Sequence, residues 1–168
     1  MNWFAFYTQS RAEKATVQRL KEQGIEAYIP LHTVIRQWSD RKKKVEVPLI
    51  NGYVFARPDP AQYFQVLNTQ GIVRCVWFCG KPAPIPDAQI RIMQALIDEK
   101  TEVEASSETF LPGEQVQFTQ GALTGVSGEL IQISGKHKVI LRIDHISHSL
   151  LVTADPCQLA KVQKKTGT

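Results

Sequence analysis

Apolar residues open the chain without leaving a polar side: Trp3, Ala5 and Tyr7 fall on one face of an extended segment, Phe4 and Phe6 on the other. Such a strand belongs at the centre of a sheet covered on both faces. Ser10 and Glu13 then have the spacing of a capping box, which predicts a helix over residues 11–23. Ala12, Thr16, Val17 and Leu20 form its buried stripe, and Gly24 stops it. Residues 26–31 and 33–38 are β-rich and broken around Pro30, and the alternation resumes at 45–47 after a charged tip at 39–44. That pattern predicts a long hairpin with a basic end. A strand follows at 52–56, then a helix to about residue 68 opened by the cap pair Asp59-Pro60. A strand at 72–78 and a helix at 87–100 complete the half, the helix carrying Ile90, Met93, Leu96 and Ile97 at helical spacing. The mixture predicts an α+β sandwich over residues 1–100.

The pattern then changes. Residues 101–109 are acidic, contain Ser106-Ser107 and show no apolar periodicity, so they are expected as a linker. From 110 onwards only short β-type runs occur, at 115–119, 127–134, 137–143 and 149–153, separated by Gly121, Gly125, Gly135 and Asp144-His145. Some fifty residues of short strands suit a small SH3-like barrel and are too few for a sandwich.

Charge sharpens this division. The formal net charge is +4, yet Arg36, Arg41, Lys42, Lys43 and Lys44 against Asp40 concentrate an equal excess in one hairpin. From 98 to 108 the balance reverses, with Asp98, Glu99, Glu102, Glu104 and Glu108 against Lys100. No run approaches the roughly 18 apolar residues of a membrane span, and no signal-peptide pattern opens the chain, so a cytoplasmic protein with no membrane partner is expected. Three cysteines, Cys75, Cys79 and Cys157, fit reduced thiols.

Pro112-Gly113-Glu114-Gln115-Val116, followed by Gly121, Gly125 and Gly128, resembles the KOW motif. In the first half, Trp3, Glu13, Glu26-Ala27-Tyr28-Ile29-Pro30 and Gly52-Tyr53-Val54-Phe55 resemble, in order and spacing, the amino-terminal domain of the NusG family of transcription factors. Trp38-Ser39-Asp40-Arg41-Lys42-Lys43-Lys44 with Pro48-Leu49 is most similar to the UpxY-type antiterminators, specialised paralogues that act on polysaccharide operons. Asn51, where many relatives have proline, departs from the pattern and bears on the subfamily more than the family. The resemblance implies an amino-terminal NusG domain at 1–100, a linker at 101–109 and a KOW barrel at 110–168. It further implies a monomeric antitermination or elongation factor that binds the clamp helices of the largest bacterial RNA polymerase subunit and suppresses pausing or termination. Tyr53 and Phe55 fall at the matching polymerase-binding motif, with Tyr7, Phe78, Ile90 and Met93 alongside. Relatives use the barrel to contact a ribosomal protein or a termination factor.

The residues themselves leave alternatives. Tyr53 and Phe55 lie two apart on one strand, a spacing that suits a shared docking face and equally a shared core. Arg36, Arg41, Lys42, Lys43 and Lys44 beside Trp38, whose ring is able to stack on a base, point to a nucleic-acid contact, against the alternative of a solvated charge run, and the resemblance implies non-template DNA or nascent RNA as the strand met there. An RNA contact through Lys136, His137 and Lys138 is a further option, and a ribosome-associated or RNA-binding KOW protein is the competing reading of the whole chain. Cys75 and Cys79, about 13 Å apart on an extended strand, cannot share a metal. His145 and His148 fall in an expected hairpin turn where Asp144 is the one neighbouring acid in sequence, which reads as surface residues rather than a metal site. No phosphate loop, nucleophile elbow or paired-carboxylate motif is present, so neither catalysis nor a cofactor or metal is expected.

Overall fold

The structure, a computed structural model, describes residues 1–109 and 112–162. The expected start of the barrel at Phe110 and the end of its range at 163–168 lie outside the described residues. The described chain divides into two compact units: Met1–Arg91 with Asp144–Ile146, and Ile92–Ile143 with the described residues from Ser147 onward.

In the first unit the elements run β1 (Trp3–Thr8), α1 (Glu13–Glu22), β2 (Glu26–Tyr28), β3 (Leu31–Gln37), β4 (Lys42–Pro48), β5 (Tyr53–Arg57) and α2 (Tyr63–Leu67). They continue with β6 (Ile72–Cys75), β7 (Trp77–Phe78), β8 (Lys81–Pro82), β9 (Pro84–Ile85) and α3 (Asp87–Asp98), which crosses the boundary between the units. The main sheet is antiparallel in the order β2, β5, β1, β6, with β9 pairing the start of β1. The doubly apolar β1 is therefore central, as its pattern requires. On one face Phe6, Val54 and Ala56 pack with Val17 and Leu20 of α1 and Val66 of α2. Each fully buried large apolar side chain there contributes about 1.5–3 kcal/mol relative to exposure.

Two local expectations are corrected. The capping box at Ser10 does not form: α1 begins at Glu13 behind Ala12, which provides no side-chain cap. Glu13 is buried, and its carboxylate accepts the backbone N–H of Gly52 at 2.9 Å, so a long-range partner outcompetes the local one. The second helix is short, because Asp59 and Gln62 satisfy each other's backbone N–H groups at 2.8 and 3.1 Å and hold residues 59–62 as a turn before it.

The second unit contains β10 (Val103–Ser106), β11 (Glu114–Phe118), β12 (Ser127–Ile133), β13 (Lys136–Arg142), β14 (Ser149–Thr153) and β15 (Leu159–Lys161). These form one antiparallel sheet in the order β10, β14, β13, β12, β11, β15, the small all-β KOW-like half of an α+β protein. Val116, Phe118, Val139, Leu141, Leu150 and Val152 are buried and alternate onto one shared face. Gly128 is required there, because a Cβ would stand 2.5 Å from Val139 Cγ1 and 2.7 Å from the Ile140 carbonyl oxygen. Gly113 is similarly confined, its missing Cβ falling 2.2 Å from the Leu130 carbonyl oxygen.

The linker at 101–109 is also corrected. Val103–Ser106 is a strand whose four residues pair with β14, and the units part within α3 rather than at residue 101. Its acids are matched to β13: Glu102 pairs with Lys136 at 3.3 Å and Glu104 with Lys138. Acidic residues at alternate positions signalled a strand with a basic neighbour, not a solvated tether.

Candidate functional site

The distal end of the β3–β4 hairpin is set by register. Gln37 pairs with Lys42, Arg36 with Lys43 and Ile35 with Lys44, leaving Trp38, Ser39, Asp40 and Arg41 as the turn, closed by a 2.7 Å bond from Trp38 N–H to the Arg41 carbonyl. Lys42, Lys43 and Lys44 are therefore strand residues rather than part of a loop, which corrects the expected tip at 39–44. Their side chains alternate, so Lys43 shares a face with Arg36 while Lys42 and Lys44 share the other with Ile35. All five cations are exposed, and among the described residues none is in an ion pair. Lys43 Nζ lies 5.8 Å from the centre of the exposed Trp38 ring. The root is fixed separately: Leu49 N–H bonds the Pro30 carbonyl at 2.8 Å, and Lys14 Nζ donates to the Glu46 carbonyl at 2.6 Å. A hairpin held at its base and rich in unpaired cations at its end can meet polyanions without first breaking internal bonds.

A second constellation lies on the other face of the main sheet. Tyr7 and Tyr53 are directly opposite on β1 and β5, with ring centres 4.8 Å apart, and Arg74 on β6 lies over the Tyr7 ring at 4.6 Å. Arg74 is exposed, Tyr7 half-buried and Tyr53 buried, so the stack grades from solvent into the sheet. Burial, then the hydrogen bond with Tyr7, push the Tyr53 phenol well above the usual tyrosine range, with Arg74 opposing. Arg57, on the same face of β5, reaches Glu26 and Asp87 at 3.8 Å each.

The six apolar residues assigned from the resemblance do not form one exposed patch. Phe78 is exposed and Tyr7 partly so, whereas Tyr53, Phe55, Ile90 and Met93 are buried. A same-face spacing of two reports the face and not its cover, which is why core and docking surface look alike in sequence. Arg74 and Trp77 were missed. Trp77 is exposed beside Phe78 on the small β7–β8 hairpin, and Arg74 reaches Tyr7 only through the pairing of β6 with β1.

The remaining chemistry is sparse. Cys75 ends β6 with its thiol pushed up by burial, while Cys79 sits in the turn between β7 and β8 at φ +50. The two are thus not on one strand. Burial lowers the His148 imidazole. Among the described residues no group of three or more His, Cys, Asp or Glu side chains could hold a metal ion, and no helix is long and apolar enough to cross a membrane.

The described chain thus combines an antiparallel α+β sheet domain that carries a basic hairpin with a small all-β, KOW-like unit. The family model described as "Transcription termination factor nusG" matches residues 1–94, more than half of the chain, and the chain belongs to the NusG family. The transcription termination/antitermination protein NusG of Lactococcus lactis is 25% identical over 156 residues, covering 90% of this chain and 83% of the relative. That of Streptococcus pyogenes serotype M3 is 24% identical over 175 residues, covering 95% and 96%. A solved structure of Thermotoga maritima NusG matches the fold with a TM-score of 0.55 at 20% identity, over 96% of this chain and 97% of that one.

Proposed function

We propose that this chain is an elongation or antitermination factor that binds RNA polymerase through its amino-terminal unit and holds nucleic acid phosphates with its β3–β4 hairpin. The observation that carries the reading is the hairpin: Arg41, Lys42, Lys43 and Lys44 are contiguous, exposed and unpaired among the described residues, on a chain of this family. Fixed cations raise affinity for a phosphate backbone by releasing its counterions. The clamp helices of the largest polymerase subunit are the proposed protein partner, approached from the side that carries Tyr7, Tyr53, Arg74 and the exposed Phe78. Phe55, Ile90 and Met93 are buried, and a partner reaches them only if the packing around them opens. Binding the elongating state better than the paused one would suppress pausing or termination by shifting the population. Chemistry stays with the polymerase, and this chain acts as a cytoplasmic, monomeric, cofactor-free scaffold.

The charged run from Trp38 to Lys44 supports a specialised factor serving a polysaccharide operon. The second unit would recruit a protein, a ribosomal protein or a termination factor being the candidates the resemblance names. Pairing of Lys136 and Lys138 with Glu102 and Glu104 argues against an RNA contact there. Single-round transcription with purified polymerase tests the proposal: the added protein should shorten pauses or raise read-through. Unchanged pausing, together with co-migration of the protein with ribosomal subunits, would favour the ribosome-associated alternative.

A further inference from the structure

We infer that β10 is a displaceable strand, and that the β14 edge it covers takes in its place an extended segment of a protein partner with carboxylates at alternate positions. This goes beyond the polymerase and hairpin roles, which lie in the first unit, and gives the second unit a surface and a kind of partner.

β10 is the outermost strand of its sheet and pairs along one side only, Val103 to Ser106 against Ser149 to Val152 of β14. Its apolar contribution is small: Val103 and Ala105 are half-buried, and Glu104 is exposed. Two ion pairs add to the hold. Glu102 meets Lys136 at 3.3 Å and Glu104 meets Lys138, so the carboxylates reach across β14 to the lysines of β13. Glu102, Lys136 and Glu104 are each more than half exposed, and pairs so placed contribute little and are screened by salt. A four-residue edge strand held in this way opens before the rest of its sheet.

β14 stays behind when β10 opens. It is paired on its other side along five residues with β13, and Leu150, Leu151 and Val152 are buried. The vacated edge offers unpaired N–H and C=O groups along Ser149-Leu150-Leu151-Val152-Thr153, an uncharged β-type run that accepts an added strand. The lysines then decide which strand. Lys138 is only 12% exposed while the edge is covered, and a cation so placed needs a counter-charge. Lys136 and Lys138 are two apart on β13, so an incoming strand meets both with carboxylates at alternate positions, as Glu102 and Glu104 do. The β14 of a second copy has no acid to offer, and a nucleic acid would satisfy the lysines but leave the backbone edge unpaired.

Amide hydrogen exchange of the full chain, read by NMR, tests displacement. Residues 103–106 should exchange at least about tenfold faster than residues 138–141 of β13, and faster still in high salt. Equal protection of both strands would overturn the inference. Docking is read with a fluorescein-labelled peptide of the sequence Thr101–Ser107, and with a control peptide carrying Glu102→Lys and Glu104→Lys. In the chain itself, Glu102→Gln with Glu104→Pro removes both carboxylates and puts a proline in the β10 ladder, which opens the edge. That variant, its folding checked by circular dichroism, should bind the acidic peptide at least about tenfold more tightly than wild type, in which β10 competes as a tethered strand. It should bind the lysine control about tenfold more weakly than the acidic peptide.

Equal binding of the two peptides, or no gain over wild type, overturns the inference. So does dimerisation of the variant in size-exclusion chromatography, which makes a second copy the occupant, and so does a larger gain for single-stranded RNA than for the peptide. If the variant does not fold, excess acidic peptide added to wild type should speed exchange at 103–106 while the lysine control does not, and no change with either peptide sinks the idea. Binding of core polymerase is measured on the same chains. Its absence in wild type contradicts the polymerase reading and leaves the result for the edge intact.

Discussion

The Glu13 carboxylate accepts a hydrogen bond from the backbone N–H of Gly52 at 2.9 Å, tying the first turn of α1 to the residue that immediately precedes β5. The next residue is Tyr53, so this bond anchors the strand on which the Tyr7–Tyr53 stack is built. Glu13 is only 6% exposed, and a charge-assisted bond in that setting contributes about 1.5–3 kcal/mol. Glu13→Ala should lower unfolding stability by about that amount, and Glu13→Gln, which retains an acceptor, by less. Urea denaturation monitored by circular dichroism measures both. Equal stability of Glu13→Ala and wild type would show that the bond contributes nothing.

In the second unit Gly128→Ala should be costly. Its methyl group would have to displace Val139, Leu141 or the Ile140 carbonyl, all within 3 Å of the new carbon, in strands buried on both sides. Overpacking of this kind costs about 1–3 kcal/mol. Loss of β signal at lower urea, with the helical signal of the first unit persisting longer, is the expected result.

Two tyrosines should resist ionisation. Burial raises the Tyr53 phenol far above its ordinary value and pushes Tyr63 up to about 12, with Cys75 adding to the latter. Native protein thus retains phenolic protons that the unfolded chain loses near pH 10. Stability attributable to these groups is constant below about pH 10 and falls as pH rises beyond it, because the unfolded state then binds fewer protons. Absorbance titration should show a late component, removed by Tyr53→Phe together with Tyr63→Phe. A single ordinary tyrosine transition in wild type would contradict the burial argument.

Salt dependence reads the hairpin. If Arg41, Lys42, Lys43 and Lys44 neutralise three or four phosphates on a single strand, log affinity should fall with log salt at a slope of about −2 to −3. Replacing all four by Gln should flatten it while polymerase binding through the amino-terminal unit persists. An unmoved slope would remove the hairpin from the nucleic-acid contact.

Much of the fold was legible because the signals were local. Trp3 to Tyr7 showed a strand apolar on both faces, and residues 149–153 a strand whose bounds match β14. What was misread depended on partners distant in sequence. Ser10 and Glu13 have cap spacing, but Gly52 claims the carboxylate. Glu102 and Glu104 look like linker acids until β13 supplies Lys136 and Lys138. The candidate site divides in the same way. Contiguous cations at 41–44 were visible as a charge run, whereas Arg74 over Tyr7 required the register of β6 on β1. Phe55 shows the limit most clearly, since alternation placed it on the same face as Tyr53 and could not tell that it is buried.

That burial also decides which variants test docking. Phe55→Ala would open a cavity costing about 3–5 kcal/mol, so lost binding could reflect lost folding. Tyr7, Arg74 and Phe78 are accessible and can be changed with less effect on the core.

The most direct measurement is therefore the affinity of the full chain for core RNA polymerase, determined by size-exclusion co-migration and titration. Wild type is compared with Tyr7→Ala, Arg74→Ala and Phe78→Ala combined in one chain, whose folding is checked by circular dichroism. Wild type should co-migrate with the polymerase, and the folded triple variant should bind at least about tenfold more weakly, a loss on the order of 1.4 kcal/mol. A wild-type chain that does not bind polymerase, or a folded triple variant that binds as tightly as wild type, would contradict the account.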